Sequence, residues 1–418
     1  MKADALSRGR APAGALPRLR ALLRRLGHPE EAFPAVHVTG SHGKSSVVAF
    51  LEGIFVAAGY RVGAFVPSSP ASPVRIGGAP VPPAALEQAL SRVEGAAMDG
   101  TGPAERLAAA AFSLFADAGI EIAFVGAGTG GRHDPANCLP RRLLTAVTAV
   151  EEDRVDLFGP GCARPSWEEA RTASPGVPLL TVERRMETLA AFAETTKEVG
   201  AALVLLDPED LTPVGLSWER AVWRSREDPL GLGEFETGPM GLYQRGNLAL
   251  ALGTVCELLG GWDLPPGAIR DGLARAELPV RFEVVSRRPY VVLDAARNPA
   301  AARSLIGTLE ALSGAGGERI LLFGITRGQP VRATAEALFP WFDRVVLFSA
   351  EGPDALPPQA LLPQARRLGV RVEIGGALAE VLGERLGSAG EGDLIVAVGP
   401  KAALLEARGE LGNIVGRG

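Results

Sequence analysis

A chain of 418 residues is longer than one ordinary hydrophobic core serves, so two domains are expected. With 47% apolar and 22% charged residues it reads as globular, and a net charge of −5 leaves no general electrostatic footprint for nucleic acid. Cys138, Cys162 and Cys256 are odd in number and far apart, which argues against a disulfide framework or zinc ribbon, and no apolar run or leader-like N-terminus points to a membrane, so the cytoplasm is the expected compartment.

In chain order, Leu16, Leu19, Leu22, Leu23 and Leu26 recur at helical spacing and predict an amphipathic helix. Residues 36–46, VHVTGSHGKSS, then read as strand, glycine-bracketed turn and helix, with Val47, Phe50, Leu51, Ile54 and Phe55 continuing the helical pattern. The turn Gly40-Ser41-His42-Gly43-Lys44-Ser45-Ser46 suits an anion. Its glycines let backbone N–H groups converge, the helix N-terminus adds a positive dipole end, Lys44 supplies a point charge, and the Ser45 hydroxyl can ligate Mg2+. A nucleotide phosphate is the natural guest; a bare glycine turn is the plainer alternative. Val38 stands where the general Walker spacing has its first glycine, so the match is to a shorter Gly-x-x-Gly-Lys-Ser loop.

A strand is expected over residues 61–66, a turn-rich loop over 67–73, helices over 83–93 and 105–116, and a strand over 121–125. A second glycine-rich turn, residues 126–132, follows and ends in Arg132. This β-α-β-α-β rhythm predicts a mostly parallel sheet covered on both faces. Residues 144–150 read as a strand whose end carries Glu151, Glu152, Asp153, Arg154 and Asp156. Strands over 178–182 and 202–206 flank a helix, residues 218–235 show no assignable pattern, and helices are expected over 243–259 and 268–276. The domain boundary is placed before Pro279, giving residues 1–278 and 279–418. The second domain alternates strands at 290–294, 319–323, 344–348, 371–374 and 393–398 with helices at 299–312, 332–339, 358–368 and a last one reaching 386. The fold class is therefore α/β: an N-terminal P-loop doubly wound, mostly parallel sheet domain and a smaller C-terminal Rossmann-like domain.

Several motifs together resemble one family. They are Thr39-Gly40-Ser41-His42-Gly43-Lys44-Ser45-Ser46, Ala58-Gly59-Tyr60-Arg61-Val62-Gly63, Gly130-Gly131-Arg132-His133-Asp134-Pro135-Ala136-Asn137, Tyr243-Gln244-Arg245-Gly246-Asn247, Pro279-Val280-Arg281-Phe282-Glu283-Val284-Val285 and Leu293-Asp294-Ala295-Ala296-Arg297-Asn298-Pro299. In this order they look like folylpolyglutamate synthase / dihydrofolate synthase, a branch of the Mur ligase superfamily. The resemblance implies an ATP-dependent ligase in which the γ-phosphate activates a carboxylate as an acyl phosphate and an amino-acid amine displaces it. It implies ATP and Mg2+ as cofactors, nucleotide between the two domains, and small carboxylate and amino-acid-like substrates. Carried over, Gly40, Ser41, His42, Gly43, Lys44, Ser45 and Ser46 would hold phosphate, Ser45 and Glu105 would serve the metal, Asn247 and Arg281 would contact nucleotide, and Asp294 and Arg297 would face it from the second domain.

The chain departs from the family's pattern at its metal ligands. Gly126 replaces a metal-binding glutamate, Arg154 a metal-binding histidine, Glu169 a lysine that the family carbamylates, Arg297 a histidine, and Thr326-Arg327-Gly328-Gln329 an Asp-Lys-Asp stretch. The 67–76 loop is shorter than the family's pterin-gripping segment and lacks its histidine. Two readings stay open. In one, a rewired site still ligates a changed substrate: Glu169 supplies the charge carbamylation would create, Arg154 and Lys44 neutralise phosphate, and Glu151, Glu152 or Asp153 holds Mg2+. In the other, a catalytically impaired pseudo-ligase binds nucleotide and acts as a regulatory or structural partner of another protein. Among single residues, Arg132 is weighed as a turn stabiliser against a carboxylate grip, His42 as a solvent-facing turn residue against a phosphate contact, and His28 and His37 as surface or packing residues.

Overall fold

In the computed structural model, which describes residues 14–415 except 70–71, 129, 151–164, 239–240, 313–315, 351 and 353, the apolar runs read as strands form two main sheets. The chain divides into two units. The first runs to Thr212 and takes in Arg224–Phe235 and Gln244–Ala276; the second takes Pro213–Trp223, Glu236–Tyr243 and the chain from Glu277.

The first unit is built on β1 (Ala35–Thr39), β2 (Val62–Phe65), β5 (Ile122–Gly126), β6 (Arg142–Val147), β7 (Leu179–Thr181) and β8 (Leu203–Leu205), parallel in the order β2-β5-β1-β6-β7-β8. All five residues of β1 are buried, because a central parallel strand is covered on both faces. On one face α1 (Ala15–Arg25), α3 (Pro83–Ala96) and α4 (Pro103–Ala118) enclose Leu19, Leu22, Phe33, Phe65, Phe112 and Phe115 together with Ala123 and Val125 of β5. Phe124, between those two strand residues, points to the other face. There it meets Phe55 of α2 (Lys44–Ala57), ring centroids 5.1 Å apart, and α2 packs against α7 (Gln244–Leu258) and α8 (Pro266–Arg275). Short α5 (Pro165–Ala170) and α6 (Met186–Val199) pack on each other around Phe192 and Val147.

Two stretches differ from expectation. The turn-rich loop leads into β3 (Val74–Ile76), which folds back antiparallel on β2 with Phe65 opposite Val74, and then into β4 (Ala79–Pro80). Residues 218–235, which carry no clear pattern, contain β10 (Ala221–Ser225) and the start of β11 (Glu234–Thr237), in a three-stranded sheet with β9 (Leu211–Leu216). Trp223 is buried there and its Nε1 donates to Thr237 Oγ1 at 3.0 Å.

In the second unit β13 (Tyr290–Asp294), β14 (Arg319–Phe323), β15 (Arg344–Ser349), β16 (Arg371–Ala377) and β17 (Leu394–Val398) are parallel in the order β13-β17-β14-β15-β16, with antiparallel β12 (Glu283–Arg287), unread in the sequence, at one edge. Leu305 of α9 (Pro299–Ala311) and Leu338 of α10 (Val331–Leu338) share one core with Phe323 and Val345. Leu382 of α12 (Leu378–Ser388) and Leu404 of α13 (Lys401–Val415) share the other with Val346 and Ile395. The helix expected over 358–368 is a 3-10 turn, Pro358–Leu361, followed by α11 (Leu362–Arg367), and the terminal α13 was not anticipated. Among the described residues, no helix is long and apolar enough to cross a membrane.

Candidate functional site: the loop after the central strand

The loop after β1 emerges at the carboxyl edge of a parallel sheet, where open α/β sheets place their ligand crevices. Gly40 and Gly43 have φ of 110° and 92°, values that side chains rarely adopt. Neighbours also exclude a side chain at both: a Cβ on Gly40 would strike Thr148, and one on Gly43 would strike Asn247 Oδ1. Ser41 N donates to Ala149 O at 3.0 Å, and Thr148 Oγ1 donates to Thr39 O at 3.0 Å, so the end of β6 holds the loop's shape. Lys44 opens α2, and its Nζ lies across the loop, donating to Gly40 O at 2.5 Å and Ser41 O at 3.3 Å. The first turn of α2, with Ser45 half-buried and Ser46 buried, adds the N-terminal end of a 14-residue helix. His42 is half-buried in the loop.

Asn247 comes from the first turn of α7. Its Nδ2 donates to Gln244 Oε1 at 2.9 Å, which turns Oδ1 toward Gly43. Gln244 is fully buried, and its Nε2 has no hydrogen-bond partner among the described residues.

Glu169 sits beside the same loop although it is 130 positions from Thr39 in sequence. Its Oε2 accepts from Thr39 Oγ1 at 2.5 Å and from Gly131 N at 3.4 Å. Burial pushes its carboxyl above the usual range, while the Thr39 hydroxyl and the Lys44 charge pull the other way. Glu168, also buried, pairs with Arg132, Nε to Oε2 3.5 Å, and Arg132 Nε also donates to His133 Nε2 at 3.1 Å. Arg132 thus has structural partners in the glycine-rich turn. The turn is further set by Asp134, whose Oδ2 accepts from Gly130 N and Oδ1 from Ala136 N. Arg142 braces the segment from beneath, donating to Ala136 O, Asn137 Oδ1, Thr172 O and Ser174 Oγ; burial brings its guanidinium down to about 10.

Glu105 has a use that its sequence context did not announce. Its Oε2 accepts from Gly102 N at 2.5 Å, capping α4, and its Oε1 pairs with Arg18 of α1 at 2.9 Å. Gly102 has no side chain to return the bond, so this is half of a capping box. Gly126 ends β5 and offers no ligand atom. Arg154, with Glu151, Glu152, Asp153 and Asp156, lies outside the described residues. His37 is fully buried in β1 as a packing residue, and its ring nitrogens have no hydrogen-bond partner among the described residues.

The second unit carries its own polar cluster. Asp294, at the carboxyl end of β13, is buried; its Oδ2 accepts from Phe282 N at 2.7 Å and from Tyr243 Oη at 3.2 Å. Burial raises its pKa and the neighbouring Arg281 charge opposes the rise. Arg281 is flanked by Val280 and Phe282, both at positive φ (56° and 46°), an arrangement that costs about 1–3 kcal/mol per residue and aims the guanidinium at Ala295 O. Arg297 is exposed, and Asn298 caps α9 by accepting from Ala301 N.

A phosphate-type loop on a parallel sheet, with a second parallel α/β unit in the same chain, defines the class of P-loop α/β proteins. The family model described as Mur ligase, glutamate ligase domain, matches residues 280–400. Dihydrofolate synthase/folylpolyglutamate synthase of Bacillus subtilis is 30% identical over 320 residues, covering 71% of this chain and 72% of that one. The Escherichia coli protein of the same name is 29% identical over 357 residues, covering 83% and 80%. Among solved structures, E. coli FolC in complex with ADP superposes with a TM-score of 0.81 at 26% identity, covering 96% and 94% of the two chains. Mycobacterium tuberculosis folylpolyglutamate synthase complexed with ADP, at 24% identity and a TM-score of 0.82, shows the same fold. The chain belongs to the dihydrofolate synthase/folylpolyglutamate synthase family.

Proposed function

We propose that this chain is a cytoplasmic ATP-dependent ligase that joins a small carboxylate to an amino-acid-like amine, on a substrate other than folate. The observation that carries the reading is the buried Glu169 carboxylate, hydrogen-bonded by Thr39 at the foot of the loop and within the field of Lys44. Buried ionisable groups with perturbed proton affinity beside a cationic loop cluster at functional sites. The two positive-φ glycines, Lys44 and the end of α2 fit a triphosphate. Ser45 and Glu169 are all-oxygen donors and suit Mg2+, which would supply charge neutralisation at the phosphates. Glu105 is left out of the metal set because both of its oxygens already have protein partners.

In the reaction a substrate carboxylate oxygen bonds to the γ-phosphorus as the bond to the ADP oxygen breaks. The amine nitrogen then bonds to the acyl carbon, inorganic phosphate leaves, and the nitrogen loses a proton. Loop N–H groups and Lys44 hold the phosphate oxygens in place, while the Thr39 hydroxyl keeps Glu169 oriented. β3 folds back antiparallel on β2, with Val66 N bonded to Pro73 O, and the segment over residues 67–76 is shorter than the family's pterin-gripping segment and lacks its histidine, which supports a changed substrate.

A second reading, nucleotide binding without transfer in a partner of another protein, draws on Gly126, which brings no ligand atom to the carboxyl end of β5. One experiment separates them: phosphate release with ATP, Mg2+ and panels of acids and amines, alongside thermal shift with ATP. The ligase reading expects acid- and amine-dependent release, lost in Lys44→Ala, and lowered at least about 100-fold in Glu169→Gln while ATP still shifts the melting temperature. A thermal shift with no release over the panel would favour the second reading.

A further inference from the structure

At the opposite end of β1, the turn Gly27-His28-Pro29-Glu30-Glu31 gathers three ligand-type side chains. His28 takes a left-handed conformation, φ 59°, and Pro29 opens a 3-10 turn, Pro29–Glu31, so that residues 28, 30 and 31 converge. His28 Nδ1 is 3.1 Å from Glu30 Oε1 and 3.4 Å from Glu31 Oε1, and one ligand atom from each of the three lies within 4.8 Å of the others. Ligands bound at about 2.0–2.1 Å around a tetrahedral ion stand roughly 3.3 Å apart, the spacing observed about Nδ1.

A second observation points to a cation. Glu30 is only 6% exposed, and its Oε2 is buried with no hydrogen-bond partner among the described residues. Leaving one oxygen of a buried carboxylate without a donor is costly, and a cation held across both oxygens of Glu30, Oε1 being the one 3.1 Å from His28 Nδ1, would offset the cost. We propose that His28, Glu30 and Glu31 form a binding site for one divalent transition-metal ion of the Zn2+ class. One imidazole nitrogen with two carboxylates favours such an ion over Mg2+ or Ca2+, which take oxygen donors. The exposed sides of His28 and Glu31 leave a fourth position to water.

The site is separate from the phosphate loop, because it precedes the amino end of β1 and the loop follows its carboxyl end. The turn that carries it also holds α1 in place, with His28 N bonded to Leu23 O at 2.9 Å. A bound ion would therefore fasten the α1–β1 connection and stabilise the first unit by mass action.

The test is titration of the metal-stripped full chain with Zn2+ by calorimetry and with Co2+ by visible absorption. Expected are one site outside the phosphate loop, unchanged in Lys44→Ala, the strong visible bands of four-coordinate Co2+, and a Zn2+-dependent rise in melting temperature. His28→Ala and Glu31→Gln, both at exposed positions, should each weaken binding at least about tenfold, or 1.4 kcal/mol. No binding by the wild type, a six-coordinate Co2+ spectrum, or affinity unchanged in both variants would each overturn the proposal.

Discussion

At the scale of single residues, the loop's glycines and Lys44 were legible because their chemistry is written in consecutive positions. Asn247 and Glu169 came only through the family resemblance. Gln244 stood in a quoted motif without a role, and the structure gives it one: its Oε1 holds Asn247 Nδ2, so that Asn247 Oδ1 faces Gly43. Gln244→Leu should free the Asn247 amide to turn and weaken ATP binding about five- to tenfold, in keeping with about 1 kcal/mol for one oriented hydrogen bond. The double variant with Asn247→Ala should bind no worse than Asn247→Ala alone, since one residue acts through the other. Additive losses in equilibrium nucleotide titrations would refute the positioning role.

Elements were read well where they are wholly buried. The strands 290–294 and 319–323 match β13 and β14 residue for residue, because central parallel strands are unbroken apolar runs. Elements at the sheet margins were read poorly: β4 and β12 are edge strands and β3 lies next to one, and β3 and β12 mix polar with apolar residues, which blurs the period. Helix α4 shows how an element can claim a residue that looks functional. Glu105 caps it and anchors Arg18, so Glu105→Ala should lower the stability of the first unit by about 2 kcal/mol, from the lost cap and an Arg18 left half-buried without its partner. Glu105→Gln, which keeps the acceptor, should lose about half as much. Denaturant unfolding checks the stabilities; phosphate release per folded molecule should stay unchanged in both, whereas a metal-binding role would cost turnover.

At the scale of the molecule, global stability should depend on pH through buried titratable groups. His37 is held well below 6.5, first by burial and then by the Arg142 and Lys44 charges. A depressed pKa in the folded chain contributes stability above the unfolded value, and this is lost as pH falls through the folded value. Glu169 and Asp294 act in the opposite sense: their raised pKa values contribute stability at pH below the ordinary carboxylate range, lost as pH rises through their folded values. The His37 contribution to the melting temperature should therefore fall as pH drops below about 6.5, while those of Glu169 and Asp294 rise, so the His37 effect is read as a difference between wild type and variant. His37→Leu, which removes two buried nitrogens with no hydrogen-bond partner among the described residues, should melt at least as high at neutral pH and gain melting temperature relative to the wild type on acidification. Equal slopes in wild type and variant, in melting curves taken across that range, would count against the assignment.

The sequence by itself determined the α/β alternation, the phosphate-type loop and the family, because hydrophobic period, turn chemistry and motif are properties of neighbouring residues. Only the tertiary structure decided that Thr39 meets Glu169, that Glu105 serves a helix end, that Tyr243 braces Asp294, and that His28, Glu30 and Glu31 converge beside an unsatisfied carboxylate oxygen. The Thr39–Glu169 contact joins residues 130 positions apart, and which strands and loops become neighbours is set by sheet order and register. Those depend on how all the buried faces fit together at once, which no local stretch of sequence spells out.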